Sequence, residues 1–360
     1  MNALKQEIAT LIAHEGPITL ERYMTLCLGH PRYGYYMTRD PFGAAGDFVT
    51  APEISQMFGE LLGVWASEAW RFAGAPAPTR LIELGPGRGT LMSDVLRVAR
   101  IAPAFLDAIT VHLVETSPLL RRLQEQTLAQ APKMVSWSGD VNETPPGPAI
   151  ILANEFFDAL PVRHYVRTLS GWRERLIGLN ASGGLVFGLA DEIEPALMAP
   201  AREGSIIEVS PASQRVMGDI AARLAREGGV LLVVDYGYPE TSLGDSLQAV
   251  AKHAYVDPLA EPGEADLTAH VDFAALARAA RAEGAKVMGP VTQAQFLLQL
   301  GIERRAQTLM KKATPEQAQA ILDAFDRLTG VKDPRRQMGG LFKVMAVTHP
   351  DMPDLPGFIV

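Results

Sequence analysis

Cysteine is nearly absent. Cys27 is the one thiol in 360 residues, which excludes an internal disulfide framework and a cysteine-based zinc site. Its neighbours Leu26 and Leu28 point to a buried, inert sulfur. Long apolar runs are missing as well: nothing approaches the roughly 18 residues of a membrane-spanning helix. Positive charge is outnumbered, with 33 Lys and Arg against 41 Asp and Glu and a net charge of −8. That balance argues against a non-specific binder of nucleic acid or of anionic membranes. There is no signal-peptide pattern. Leu4, Ile8, Leu11 and Ile12, with Lys5 and Glu7 between them, read as an amphipathic helix, and Glu7 with no early arginine argues against a transit peptide. A soluble, cytoplasmic protein is the expectation, and neither internal repeats nor low-complexity tracts interrupt it.

What is present is an apolar content of 48%, enough to bury a large core in one big or two modest domains. The most informative stretch is Leu81-Ile82-Glu83-Leu84-Gly85-Pro86-Gly87-Arg88-Gly89-Thr90-Leu91. A short apolar strand ends in an acid, a glycine-dense turn follows, and a helix begins at Leu91. Glycine is needed where backbone must turn sharply and lie against a ligand. The dinucleotide turn G-x-G-x-x-G fails here, because its third glycine falls on Thr90. The pattern is E-x-G-x-G-x-G, which resembles the first motif of class I S-adenosylmethionine-dependent methyltransferases. A carboxylate there repels a pyrophosphate and suits a ligand carrying an ammonium and a sulfonium. Without a ligand, the same residues are only a tight turn.

Two more acid-terminated strands follow. Ile109 to Val114 ends in Glu115, placed to accept from both ribose hydroxyls of a nucleoside cofactor. Met134 to Gly139 ends in Asp140, placed to accept from the adenine amino group. Each acid alone reads as a solvated loop residue. Three in succession at α/β spacing favour cofactor binding.

The fold expected is α/β: a doubly wound, mostly parallel, seven-stranded Rossmann-like sheet of the class I methyltransferase type. Residues 1–75 read as a helical N-terminal leader, closed by the irregular Ala73-Gly74-Ala75-Pro76-Ala77-Pro78. Residues 76–360 carry the sheet, with strands at 80–84, 109–114, 134–138, 149–153, 229–235, 286–288 and 341–347. Short alternating stretches at about 162–209 predict inserted antiparallel strands. A second insertion, at about 240–335, is expected to be polar loop over 240–270 and helical afterwards.

Strand four, Ala149 to Ala153, is continuously apolar, as a strand buried on both faces should be. The loop after it reads Asn154-Glu155-Phe156-Phe157-Asp158-Ala159-Leu160-Pro161. In open α/β sheets the ligand lies beyond the carboxyl ends of the strands, at the switch point, so this loop is expected over the cofactor's reactive end. The bland alternative makes the phenylalanines core and the acids caps. Asp235, at the end of strand five, is read as structural, and so is His270.

The loop 154–161, the segment Gly46-Asp47-Phe48-Val49-Thr50-Ala51-Pro52-Glu53-Ile54-Ser55, the run Tyr23…His30-Pro31…Tyr33-Gly34-Tyr35-Tyr36 and Ala265-Asp266-Leu267-Thr268-Ala269-His270-Val271-Asp272-Phe273 together resemble the MidA-like family. The resemblance extends from about Ile18 to Val347. Mitochondrial members of that family are assembly factors of respiratory complex I. It implies S-adenosylmethionine as cofactor, symmetric dimethylation of an arginine in a protein, and a complex I subunit as substrate. By position, Glu83, Gly85, Gly87, Gly89, Glu115 and Asp140 would bind the cofactor, while Asn154, Glu155, Asp158 and Asp47 would border the acceptor. No metal is implied. The lack of a transit-peptide pattern points to a bacterial member. Two other readings stay open: a small-molecule methyltransferase or aminopropyltransferase on the same fold, and a non-catalytic assembly chaperone that binds the cofactor.

Overall fold

A computed structural model of the chain describes residues 2–41 and 49–358. The chain divides into two compact units. One comprises residues 49–157, 216–240 and 271–360; the other comprises 1–48, 158–215 and 241–270. Residues 1–75, read from the sequence as one leader, are therefore shared between them.

The larger unit is built on an eight-stranded sheet. Its principal strands are β1 (Thr79–Leu84), β2 (Ile109–Val114), β3 (Val135–Ser138), β4 (Ala149–Asn154), β5 (Gly229–Tyr238), β6 (Lys286–Thr292) and β7 (Phe342–Thr348). They lie in the order β6-β7-β5-β4-β1-β2-β3. β3, β2, β1, β4 and β5 run parallel, and β7 is antiparallel to both β5 and β6. The eighth strand, Val271–Asp272, pairs in parallel with Gly237 and Tyr238 at the end of β5. A two-residue strand carries no periodicity, so it could not be counted from sequence.

β4 is apolar from Ala149 to Ala153 because β1 and β5 occupy both its edges and helices cover the sheet. Helix Gln56–Phe72 contributes Phe58, Leu62 and Trp65 to one continuous core with Leu81, Ile150, Leu152, Leu232 and Val344. Helix Thr90–Ala99 adds Leu91, Met92, Val95 and Leu96 from a face repeating at helical spacing.

The smaller unit pairs helices Ala3–Glu15 and Leu20–Gly29 with antiparallel sheets. The strands expected in the first insertion are present at Arg163–Thr168, Gly171–Leu179 and Leu185–Leu189, joined by Ile206–Val209 and by Ile18–Thr19. Residues 240–270 differ from expectation. Gln248–Ala251, Ala254–Val256 and Asp266–Thr268 form a three-stranded antiparallel sheet. Strands of three or four residues leave too little local pattern to read.

The start of β5 shows how tightly the parallel strands are fitted. A Cβ on Gly229, which has φ +112°, would lie 1.9 Å from the Ala149 carbonyl oxygen, whereas one on Gly228 (φ +85°) meets nothing within 4 Å. Gly228→Ala should cost only the about 1–2 kcal/mol of a left-handed backbone. Gly229→Ala must also separate β4 from β5 and should cost clearly more. Denaturant midpoints at constant slope compare the two, and equal losses would mean that backbone conformation alone fixes these glycines.

Candidate active site

The glycine turn leaves β1 with Gly85, Gly87 and Gly89 at φ +58°, +54° and +82°, a run that side-chain-bearing residues adopt only with strain. Gly85 N–H donates to the Val114 carbonyl and Gly89 N–H to the Pro86 carbonyl, at 3.0 and 2.7 Å. Gly89 then serves as the left-handed N-cap of helix Thr90–Ala99. Thr90 at the start of that helix donates its hydroxyl to Glu53, an interaction the sequence reading did not anticipate.

Glu83 is buried just before the turn. The Met92 backbone N–H donates to its carboxyl, yet burial dominates and pushes the group up to about 8. Its Oε2 has no hydrogen-bond partner among the described residues, and neither has the buried Oδ1 of Asn154. These two acceptors stand at the carboxyl ends of adjacent strands, since Leu84 pairs with Ala153 and Glu83 with Leu152. Buried acceptors left without donors are costly unless a ligand supplies the donors. A cation with N–H groups, as S-adenosylmethionine carries, suits this pair.

Glu115 ends β2 and is also buried. Its Oε1 accepts from Ser117 N–H at 2.8 Å and its Oε2 from Gln124 Nε2 at 3.1 Å. Burial raises its pKa against those bonds. Asp140 is exposed; its Oδ1 accepts from Asn142 N–H at 2.8 Å and caps the short turn Val141–Glu143.

The loop after β4 is held from below by Asp235. That buried carboxylate accepts from Phe156 N–H at 3.2 Å and from Phe157 N–H at 2.9 Å, which gives the structural reading of Asp235 a concrete form. Glu155 takes φ +49°, an uncommon state for a residue with a side chain. Its N–H donates to the Val234 carbonyl, and its Oε1 accepts from Ala51 N–H at 3.3 Å and from Asn154 Nδ2 at 3.2 Å. Phe157 is core, while the Phe156 ring lies against Gly85, 3.1 Å from where a Cβ would stand.

Asp158 belongs to the smaller unit. It is buried, and its backbone carbonyl accepts from Ala269 N–H at 3.0 Å. In the same unit Tyr36 Oη donates to Asp266 Oδ1 at 2.7 Å, and burial, with Asp266 and Asp158 nearby, holds the phenol well above its usual value. Two of the segments behind the family resemblance therefore meet there. His270 N–H donates to Ser246 Oγ at 2.8 Å. His164, Glu208 and Asp245 offer ligand atoms within 4.8 Å of one another, but Arg175 lies 2.7 Å from Asp245 and 3.3 Å from His164 Nδ1. A guanidinium already supplies the positive charge there. Asp47 lies outside the described residues.

The sequence reading also missed helix Pro118–Thr127 and its Gln124, whose amide touches both the glycine turn and Glu115. Ser117-Pro118 was the available signal: an N-cap serine followed by proline in the first helical position.

Residues 61–291, more than half of the chain, match the family model described as an S-adenosyl-L-methionine-dependent methyltransferase. The protein arginine methyltransferase NDUFAF7, mitochondrial, of Homo sapiens is 38% identical over 363 residues, covering 93% of this chain and 81% of that protein. Its Drosophila melanogaster homologue is 39% identical over 377 residues, covering 96% and 84%. A crystal structure from Burkholderia thailandensis bound to S-adenosyl-homocysteine is 29% identical, with a TM-score of 0.86 over 99% of this chain and 94% of that one. The relatives are named as mitochondrial proteins, which overturns the cytoplasmic, bacterial placement expected above. That expectation rested on the first residues, which form a packed helix with Leu4, Ile8 and Ile12 buried. Among the described residues no helix is long and apolar enough to cross a membrane. The chain belongs to the MidA-like family of S-adenosylmethionine-dependent methyltransferases.

Proposed function

We propose that this methyltransferase acts on the guanidinium of an arginine in a protein, with subunits of respiratory complex I as the substrates to test first. The observation that carries the proposal is that relatives named protein arginine methyltransferase are 38–39% identical over 93–96% of this chain. The strand order is read as the class I methyltransferase arrangement, with Val271–Asp272 as an addition to it.

The bound cofactor supplies an electrophilic methyl group on a sulfonium. Glu83, Gly85, Gly87, Gly89, Glu115 and Asp140 are assigned to holding it. The glycines let backbone approach, the buried Glu83 and Glu115 offer acceptors, and Asp140 keeps a carboxylate exposed beside β3. Methyl transfer is an in-line displacement, so orientation of the acceptor provides most of the rate. Arginine adds a difficulty, because its guanidinium stays protonated with a pKa above about 12 and is a poor nucleophile. A carboxylate gripping two N–H groups holds the fork still and localises positive charge away from the attacked nitrogen. Glu155 is assigned that role in the larger unit. Its left-handed backbone is a cost of order 1–3 kcal/mol of the kind found where function fixes geometry. Asn154, Asp158 and Asp47 are assigned to the acceptor side as well.

Incubation with methyl-labelled cofactor and a mitochondrial lysate depleted of this activity tests the reading. Label should enter one protein band and be recovered as dimethylarginine. Label in a small molecule would favour the alternative substrate class, and cofactor binding with no turnover on any fraction would favour a chaperone.

With the substrate in hand, Glu155→Gln and Asp158→Asn should each leave affinity for S-adenosylhomocysteine within about threefold. Each should lower methyl transfer more than about a hundredfold, roughly 2.7 kcal/mol at the transition state. Wild-type rates in both variants would remove these acids from the acceptor. For Glu83 the prediction concerns pH. The folded chain keeps this proton up to about 8, whereas the ordinary value is 4.5. The folded state then binds more protons than the unfolded one between those limits, so stability falls as pH rises through them. Urea melts without cofactor at pH 5.5 and 8.5 should show wild type losing more than Glu83→Gln, by an amount on the order of a few kcal/mol. Equal losses would mean that Glu83 is ionised in the folded protein.

A further inference from the structure

We propose that Gln124 is a positioning residue of the cofactor site, setting the Glu115 carboxylate and the Gly87 carbonyl in fixed relation to each other; the proposal rests on the reading that Glu115 binds the nucleoside. Gln124 is fully buried on helix Pro118–Thr127. One amide N–H donates to the Gly87 carbonyl at 2.8 Å and the other to Glu115 Oε2 at 3.1 Å, while its Oε1 accepts from Trp137 Nε1 at 2.8 Å. The three partners stand on the glycine turn, at the end of β2 and on β3. These are the three places from which the sequence reading draws cofactor contacts.

Among side chains of this length, only an amide has two donors and an acceptor on one rigid plane without a charge. Leucine or methionine would fill a buried helix position with no desolvation cost, so packing does not call for glutamine here. A lysine would neutralise Glu115, and a glutamate would repel it. The neutral amide fixes one oxygen of Glu115 and leaves the carboxylate its charge. Ser117 N–H fixes the other oxygen at 2.8 Å, and Arg121 binds the Glu115 backbone carbonyl through Nε at 2.8 Å. The carboxylate is thus locked in rotation, as a bidentate grip on a diol requires. The glycine turn is held just as closely: a Cβ on Gly89 would lie 3.5 Å from both Cα and Cγ of Gln124.

Calorimetric titration of the full chain with S-adenosylhomocysteine tests the assignment, using Gln124→Met, Gln124→Glu, Glu115→Gln and the Gln124→Met/Glu115→Gln double variant. Gln124→Met should weaken binding about tenfold or more. The same change made on the Glu115→Gln background should add less than about threefold, because the carboxylate it positions has already lost its charge. The near-isosteric Gln124→Glu gives a second readout that packing alone does not move. Its introduced carboxyl faces Glu115, the Gly87 carbonyl and Trp137 Nε1, and Arg121 binds the Glu115 backbone carbonyl. Protonated, it restores a donor; ionised, it repels Glu115. Affinity should therefore fall with rising pH more steeply than in the wild type. Losses that simply add, or a wild-type pH profile in Gln124→Glu, would overturn the proposal while leaving the Glu115 assignment standing. Unchanged affinity in Glu115→Gln would overturn both.

Discussion

The pairing of two central parallel strands governs everything else in the larger unit. Leu84 of β1 lies opposite Ala153 of β4, and strand order reverses between them, so the chain departs in opposite directions from neighbouring points. The glycine turn goes one way and the loop 154–157 goes the other. At this carboxyl edge Phe156 lies against Gly85, and Glu83 and Asn154 each keep a buried acceptor that meets no donor among the described residues. A one-residue slip of β4 would turn its side chains over and dissolve that arrangement, which is why an unbroken apolar strand fitted on both edges is needed beneath a polar site.

The carboxylates at this edge are handled in different ways, and the difference is chemical. Glu83 receives a single N–H, its Oε2 has no partner among the described residues, and burial holds its proton up to about 8. Glu115 is hydrogen-bonded from two sides and keeps an orientation. Asp235 accepts from Phe156 and Phe157 N–H of the loop through Oδ2 and from Tyr236 N–H on its own strand through Oδ1, and serves the loop's shape. Burial alone would make the three look alike; their donors distinguish them.

The sheet was legible in the sequence because short apolar runs bounded by polar residues or glycine carry strong local signals. β1, β2, β4 and β5 fall where the apolar runs place them, and the acids that close them follow from that placement. The short strands within 240–270 hold too few residues to show a period, and the two-residue strand at 271–272 depends on a partner distant in sequence. Helix Pro118–Thr127 buries only Leu120 and Gln124, so hydrophobic periodicity passed over it and Gln124 went unread. Loop direction was illegible for a related reason. Only Phe156 and Phe157 separate Glu155 from Asp158, yet the two acids belong to different compact units, and no spacing rule foretells that division. The Asp235 bonds under the loop were equally hidden, because they join residues about 80 positions apart.

A crystal structure of this protein with S-adenosylhomocysteine tests the central claim most directly. The ribose hydroxyls should lie within hydrogen-bond distance of the Glu115 carboxylate, with the amino acid end beside Glu83 and the Gly85–Gly89 turn, and with Gln124 unmoved. A nucleoside bound away from β1 and β2, or a Glu115 that swings out of its grip to admit the ligand, would contradict it.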